Sequence, residues 1–231
     1  MTRKLIVEYE LWGLKLNVKK TKYMAIGDTL RDLQLEDGKE IIKHVNEYTY
    51  LGVRITKDGN HEPEINDTIN REWAAITKLN SILWDRDVTP KTKTHIYHAI
   101  VKSTITYTAE TGCLKTKTVA KLNSTEMDLW WHSPRISRKD KIRNTIIKQK
   151  MNVVRSLLHN IKTKQLQWYG HVQRMEEGRL SKEVKKWCPP GRKKWGRTKL
   201  TLAEGIRWLM GEKGLTEEHW NDRSNWRKKI I

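Results

Sequence analysis

Two clusters of cations carry the plainest chemistry in this sequence. Arg135, Arg138, Lys139, Lys141 and Arg143 fall within nine residues, and Lys185-Lys186 with Arg192-Lys193-Lys194 and Arg197 flank Pro189-Pro190-Gly191. Guanidinium and ammonium groups at such spacing contact phosphates, which positions a nucleic acid without reading its bases. Trp168, Trp187 and Trp195 lie among these charges, and an indole can stack on an unpaired base or a sugar edge. Trp195, between Lys194 and Gly196 in loop-like sequence, is the stacking candidate, whereas packing in a small helical core is the preferred reading of Trp168. His171 and Arg174 follow in the same stretch and join the candidate nucleic-acid contacts, core packing being the competing account of His171.

Catalysis needs more than cations. Divalent metals for nucleotidyl transfer require carboxylate oxygens brought to one point. The acidic pairs Glu8/Glu10, Glu36/Asp37, Asp85/Asp87 and Glu126/Asp128 are each local, and read as solvated faces, caps or ion pairs. His95 and His98 share a helical face without the cysteine or carboxylate that would complete a tetrahedral metal site. Gly38-Lys39-Glu40 lacks the earlier glycine and the hydroxyl residue of a phosphate loop, and no nucleophile elbow is present. The expectation is a chain with no catalytic residue, no metal ligand and no cofactor of its own.

Composition agrees with a polyanion as partner. The 231 residues carry a formal charge of +19, and such a field attracts nucleic acid by releasing its condensed counterions. Residues 1–60 hold 11 Lys/Arg against 9 Asp/Glu, residues 61–130 hold 9 against 9, and residues 131–231 hold 26 against 9, so nearly all of the excess follows Trp130. Cys113 and Cys188 stand 75 residues apart, which excludes a disulfide framework and a cysteine-rich zinc module built from this chain. The first fifteen residues interrupt their apolar positions with Arg3, Lys4, Glu8, Glu10 and Lys15, unlike a signal peptide, and no later segment suits a bilayer. RNA and DNA are the expected partners, with no membrane and no small-molecule substrate, in an intracellular chain placed in the nucleus or cytoplasm.

The elements that must carry these residues change character along the chain. Leu5, Tyr9 and Trp12 recur at helical spacing before Gly13, which marks a helix end. Strands are expected at Tyr23–Ile26, then at Leu33–Leu35 and Ile41-Ile42 about an Asp37-Gly38 turn, then from Tyr48 to Ile55. From Ile65 the period is helical, through Ile69, Trp73, Ile76 and Leu79, and Thr89-Pro90 opens a helix with Ile96, Ile100 and Val101 on one face. Further helices are expected over residues 118–129, 139–158, 164–175, 200–210 and 217–226.

Several of these stretches together resemble one family. Trp12-Gly13-Leu14-Lys15-Leu16-Asn17 with Lys20-Thr21-Lys22 is similar to the fourth polymerase motif of LINE-type, non-LTR retrotransposon reverse transcriptases. Tyr50-Leu51-Gly52 resembles the hairpin that holds the primer end in that family. Ser103-Thr104-Ile105-Thr106-Tyr107, Ala109-Glu110-Thr111 and Lys121-Leu122-Asn123 with Glu126-Met127 look like the thumb and the region just after it. Residues 135–144 and the run Gln165-Leu166-Gln167-Trp168-Tyr169-Gly170-His171-Val172-Gln173-Arg174-Met175 are similar to the carboxy-terminal region of its RTE-like branch. The resemblance covers about nine-tenths of the chain; Gly112-Cys113, Thr198 and Leu202 depart from its pattern.

That resemblance implies an RNA-directed DNA polymerase using magnesium, in which a lysine at the place of Lys20 or Lys22 lies near the incoming nucleotide. It also implies that the family's catalytic aspartates precede this stretch. The expected fold is α+β and mainly α. Residues 1–60 form a small antiparallel β remnant of a polymerase palm with a primer-grip-like hairpin at Tyr50, Leu51 and Gly52. Residues 61–130 form a helical thumb-like region, and residues 131–231 a basic helical region with Arg135, Arg138, Lys141, Arg143, His171, Arg174, Arg192, Lys193, Lys194, Trp195 and Arg197 on nucleic acid. The expected function is a reverse transcriptase fragment that keeps template and primer contacts without the catalytic carboxylates. An autonomous basic binding module and a decayed product without function are the alternatives.

Overall fold

A computed structural model describes residues 2–25, 33–34, 41–112, 114–132, 140–153, 155–186 and 201–231. These divide into two compact units, one running to His61 and the other beginning at Glu62. In the first, helix α1 (Thr2–Leu11) ends where Gly13 takes a left-handed φ of 69° and Leu14 returns its amide to the Tyr9 carbonyl. Strand β3 (Ile41–His44) lies between β1 (Lys22–Tyr23) and β2 (Leu33–Gln34). It pairs antiparallel with β2, Leu33 facing Ile42, and parallel with β1, where Tyr23 meets His44 edge to face at 5.3 Å. The parallel pair makes this sheet mixed. The Asp37-Gly38 turn and Ile26 lie outside the described residues.

The run from Tyr48 to Ile55, expected as one strand, is instead a hairpin of β4 (Glu47–Tyr50) and β5 (Val53–Thr56). Tyr50 pairs with Val53, so Leu51 and Gly52 alone make the turn, with φ of 49° and 79°. Two consecutive left-handed residues give the turn whose twist matches that of the flanking strands. Gly52 takes this conformation freely, whereas Leu51 does so against its own Cβ.

Among its described residues the second unit holds helices and their connections but no strand, as a mainly α fold requires. Helix α2 (Glu62–Lys78) buries Ile69, Glu72 and Ile76. Trp73, expected on the core face, is exposed, and the buried neighbour is the acidic Glu72. After α3 (Asn80–Trp84), α4 (Pro90–Ile96) begins as its sequence indicates: the Thr89 hydroxyl accepts the Thr92 amide and Pro90 fills the first turn. It continues as a π-helical segment, Tyr97–Lys102, and then α5 (Ser103–Thr106). Lys93, Tyr97, Val101 and Ile105 face the core, and Ile100, expected there, faces solvent. A wider turn rotates the residues after it relative to an α-helical count.

Helix α6 (Thr116–His132) leads to α7 (Asn144–Lys150), and α8 (Leu157–Gln173) is capped by the Ser156 hydroxyl. The single helix expected over 139–158 is thus interrupted, with Asn152 at a φ of 52° in the break. Trp130, Ile147, Met151, Leu157 and Ile161 share one core cluster with the residues of α2, the π segment and α5, so packing continues across the change in charge balance at Trp131. A second cluster joins Leu166 to α10 (Leu202–Glu212) and α11 (Arg223–Ile230), with α9 (Leu180–Lys186) and a 3-10 turn (Glu217–Trp220) between. No described helix is long and apolar enough to cross a membrane.

Candidate nucleic-acid interface

The π segment turns Lys102 and His98 toward a cleft of about 520 Å³ that Ser103, Thr106, Thr108, Glu110 and Lys164 also line. Two ammonium groups and an imidazole therefore converge with several hydroxyls. Lys164 Nζ is anchored by the Thr106 hydroxyl at 3.0 Å and lies 3.8 Å from Glu110. Lys102 makes no ion pair with a described residue. Burial, and the charges of Lys164 and Arg155, hold it below the ordinary lysine range. Burial and Lys102 likewise lower the His98 imidazole. Like charges brought together cost stability, and an anion in the cleft would relieve that cost.

A buried polar network joins the π segment to its neighbouring helices. Glu126, fully buried on α6, accepts from the Tyr97 hydroxyl at 3.1 Å, the Leu157 amide at 2.8 Å and Lys148 Nζ at 3.0 Å. One carboxylate thus ties the π segment, α7 and the start of α8 to α6. Its sequence reading as an ion pair fits, but its place is the core and not a solvated face. Glu72 lies in the same interior with both carboxyl oxygens unpartnered. Burial and then the neighbouring Glu126 push its carboxyl up to about 8, so it is largely protonated at neutral pH. The same two causes raise the Tyr97 phenol.

The run from Gln165 to Arg174 separates by face. Gln165 donates to the Ala109 and Gly112 carbonyls at 3.0 and 2.7 Å, fixing the loop that borders the cleft. Leu166 and Val172 are buried, and the Trp226 indole donates to the Leu166 carbonyl. Gly170 admits that indole, since a Cβ there would collide with the ring. Tyr169 meets Trp220 edge to face and carries Lys185 3.8 Å above its ring. Arg174 Nη1 donates to the Trp220 carbonyl at 2.7 Å, which engages that guanidinium within the fold. Lys164, Gln167, half-buried Trp168 and exposed His171 recur at i, i+3, i+4 and i+7 on the remaining face.

Other candidates lie elsewhere. Lys141, at a φ of 49°, and Arg143 are exposed beside α7, where Arg143 is the N-cap residue. Lys20 is exposed and Lys22 half-buried in the first unit, where Asn17 accepts the Lys20 amide. Tyr50, Leu51 and Gly52 project from the hairpin, with Leu51 71% exposed. Arg135, Arg138, Lys139, Arg192, Lys193, Lys194, Trp195 and Arg197 lie outside the described residues, as do Trp187, Cys113 and Cys188. His95 and His98 are not joined by a third ligand: among the described residues no group of three His, Cys, Asp or Glu is placed to hold a metal ion. Lys102 and Lys164 escaped sequence reading because they stand 62 residues apart and meet only through the fold.

No protein-family model and no solved structure matches this sequence. An uncharacterized transposon-derived protein of Caenorhabditis elegans is 25% identical over 221 residues, 90% of this chain and 76% of the relative. That likeness supports a transposable-element origin.

Proposed function

We propose that the chain is the late-palm, thumb and carboxy-terminal part of a non-LTR retrotransposon reverse transcriptase, and that its work is to grip template and primer. The observation that carries this reading is the cleft in which Lys102, Lys164 and His98 face one another with a single carboxylate, Glu110, among the lining residues. Nucleic-acid phosphates would neutralise that field, and the +19 charge of the chain supplies the long-range attraction. The α8 stripe of half-buried Lys164 and Trp168 with exposed His171 extends the same surface with an aromatic group among cations. The transposon-derived relative and the two-residue hairpin at Tyr50-Leu51-Gly52-Val53 favour this family over an unrelated basic module.

The test is a binding titration of RNA and of DNA at several salt concentrations. Binding whose logarithm falls linearly and steeply with the logarithm of salt is expected. Absence of salt-dependent binding to either polymer overturns the reading. Primer extension with magnesium is the companion assay: incorporation by the purified chain would show a complete catalytic centre, contrary to a role confined to gripping.

A further inference from the structure

A second pocket, of about 440 Å³, opens between α6, α8 and α10 with walls of Leu114, Val119, Leu158, Ile206 and Leu209. Its polar groups, Thr116, Lys162 and Gln165, are few, and its α10 side includes Gly205. A Cβ built on Gly205 meets nothing within 4 Å, so the space above this residue is open. Trp208 stands on the same side with 64% of its surface exposed, and Lys162 Nζ lies 5.0 Å from its ring centroid while paired with Glu212 at 2.8 Å. An apolar cavity edged by few donors and bordered by an exposed indole suits a flat aromatic group with polar edges. In a chain of this charge, such a group arrives most readily attached to phosphates.

We infer that this pocket takes one unpaired nucleobase, stacked against Trp208, from a single strand whose phosphates occupy the Lys102/Lys164 cleft; the inference rests on the nucleic-acid reading above. Both sites are bordered by α8 and by the loop of residues 107–112, which Gln165 holds in place. A paired base lies inside its stack and cannot enter, so the pocket gives a preference for single strands. Stacking tolerates any base, so little sequence preference results.

The experiment compares the full chain with Trp208→Ala and Gly205→Leu for binding to a short RNA single strand and to its blunt duplex across a salt series. Trp208 is exposed, and leucine favours a helix more than glycine does, so both variants keep the fold. Each is expected to weaken single-strand binding roughly tenfold, the scale of losing one stacked base, while duplex affinity and both salt slopes stay unchanged. Unchanged single-strand affinity, or equal losses for strand and duplex, overturns the inference while the nucleic-acid reading stands. A loss confined to Trp208→Ala places stacking on the exposed indole alone and overturns the pocket as its seat. Failure of the unaltered chain to bind either polymer removes the underlying reading, and the inference with it.

Discussion

The two units spend their apolar residues in opposite ways. Up to His61 the described chain buries one large hydrophobic residue, Ile42, while Leu5, Leu11, Trp12, Tyr50, Leu51 and Ile55 are all exposed. From Glu62 on, two clusters enclose three fully or nearly fully buried aromatic rings, Tyr97, Trp130 and Trp226, together with aliphatic neighbours from most of the helices. Burial of apolar area supplies most folding free energy, so stability resides in the helical unit. The described helix and hairpin of the first unit contribute little to that burial. One unit is a packed platform, and the other keeps most of its described large apolar side chains at its surface.

The sharpest way to break this contrast is Glu126→Ala. It strands the Tyr97 hydroxyl, the Leu157 amide and Lys148, and a loss of about 3–5 kcal/mol is expected in denaturant unfolding. A small loss would mean that the helical unit does not dominate stability. Glu72 comes next. Its carboxyl is raised from 4.5 to about 8 in the folded state, so folding holds a proton that the unfolded chain releases. The Glu72 contribution to stability is fully present below pH 4.5, declines by up to about 1.4 kcal/mol per unit as pH rises through this window, and levels off above about 8. Glu72→Gln should flatten that decline, as thermal melts across the range would record.

Gly170→Ala drives a methyl into the Trp226 indole and should cost about 1–3 kcal/mol, read as a shift in unfolding midpoint. The smallest effect is expected in the first unit. Leu51→Asn relieves a left-handed leucine by roughly 1 kcal/mol at most and should slow amide exchange in β4 and β5 only. A matching shift in the unfolding of the helical unit would show the two to be energetically joined.

Much of this architecture was legible where local chemistry decides it. The α1 stop at Gly13, the Thr89-Pro90 start of α4 and the helical character after residue 60 come from caps and periodicity. The features that stayed hidden depend on contacts distant in sequence. Trp73 fits the helical period as well as Glu72 does, and only the neighbouring helices decide which is enclosed. The π turn has no signature in the apolar spacing, so Ile100 and Val101 read alike although one is exposed. In the candidate site, dense clusters drew attention to residues such as Lys141 and Arg143, whereas Lys102 and Lys164 become neighbours only when α8 packs beside α5. Nothing local reveals that Arg174, a candidate nucleic-acid contact, also donates to the Trp220 carbonyl.

If the helical unit grips nucleic acid through its cationic cleft, removing both cleft lysines must show in binding. The decisive measurement is the salt dependence of RNA and DNA binding by the Lys102→Ala/Lys164→Ala double variant beside the unaltered chain. Weaker binding to both polymers is expected, with a log–log salt slope shallower by about two, one for each lost phosphate contact. An unchanged affinity and slope, in a variant that unfolds at the same midpoint, would contradict the grip.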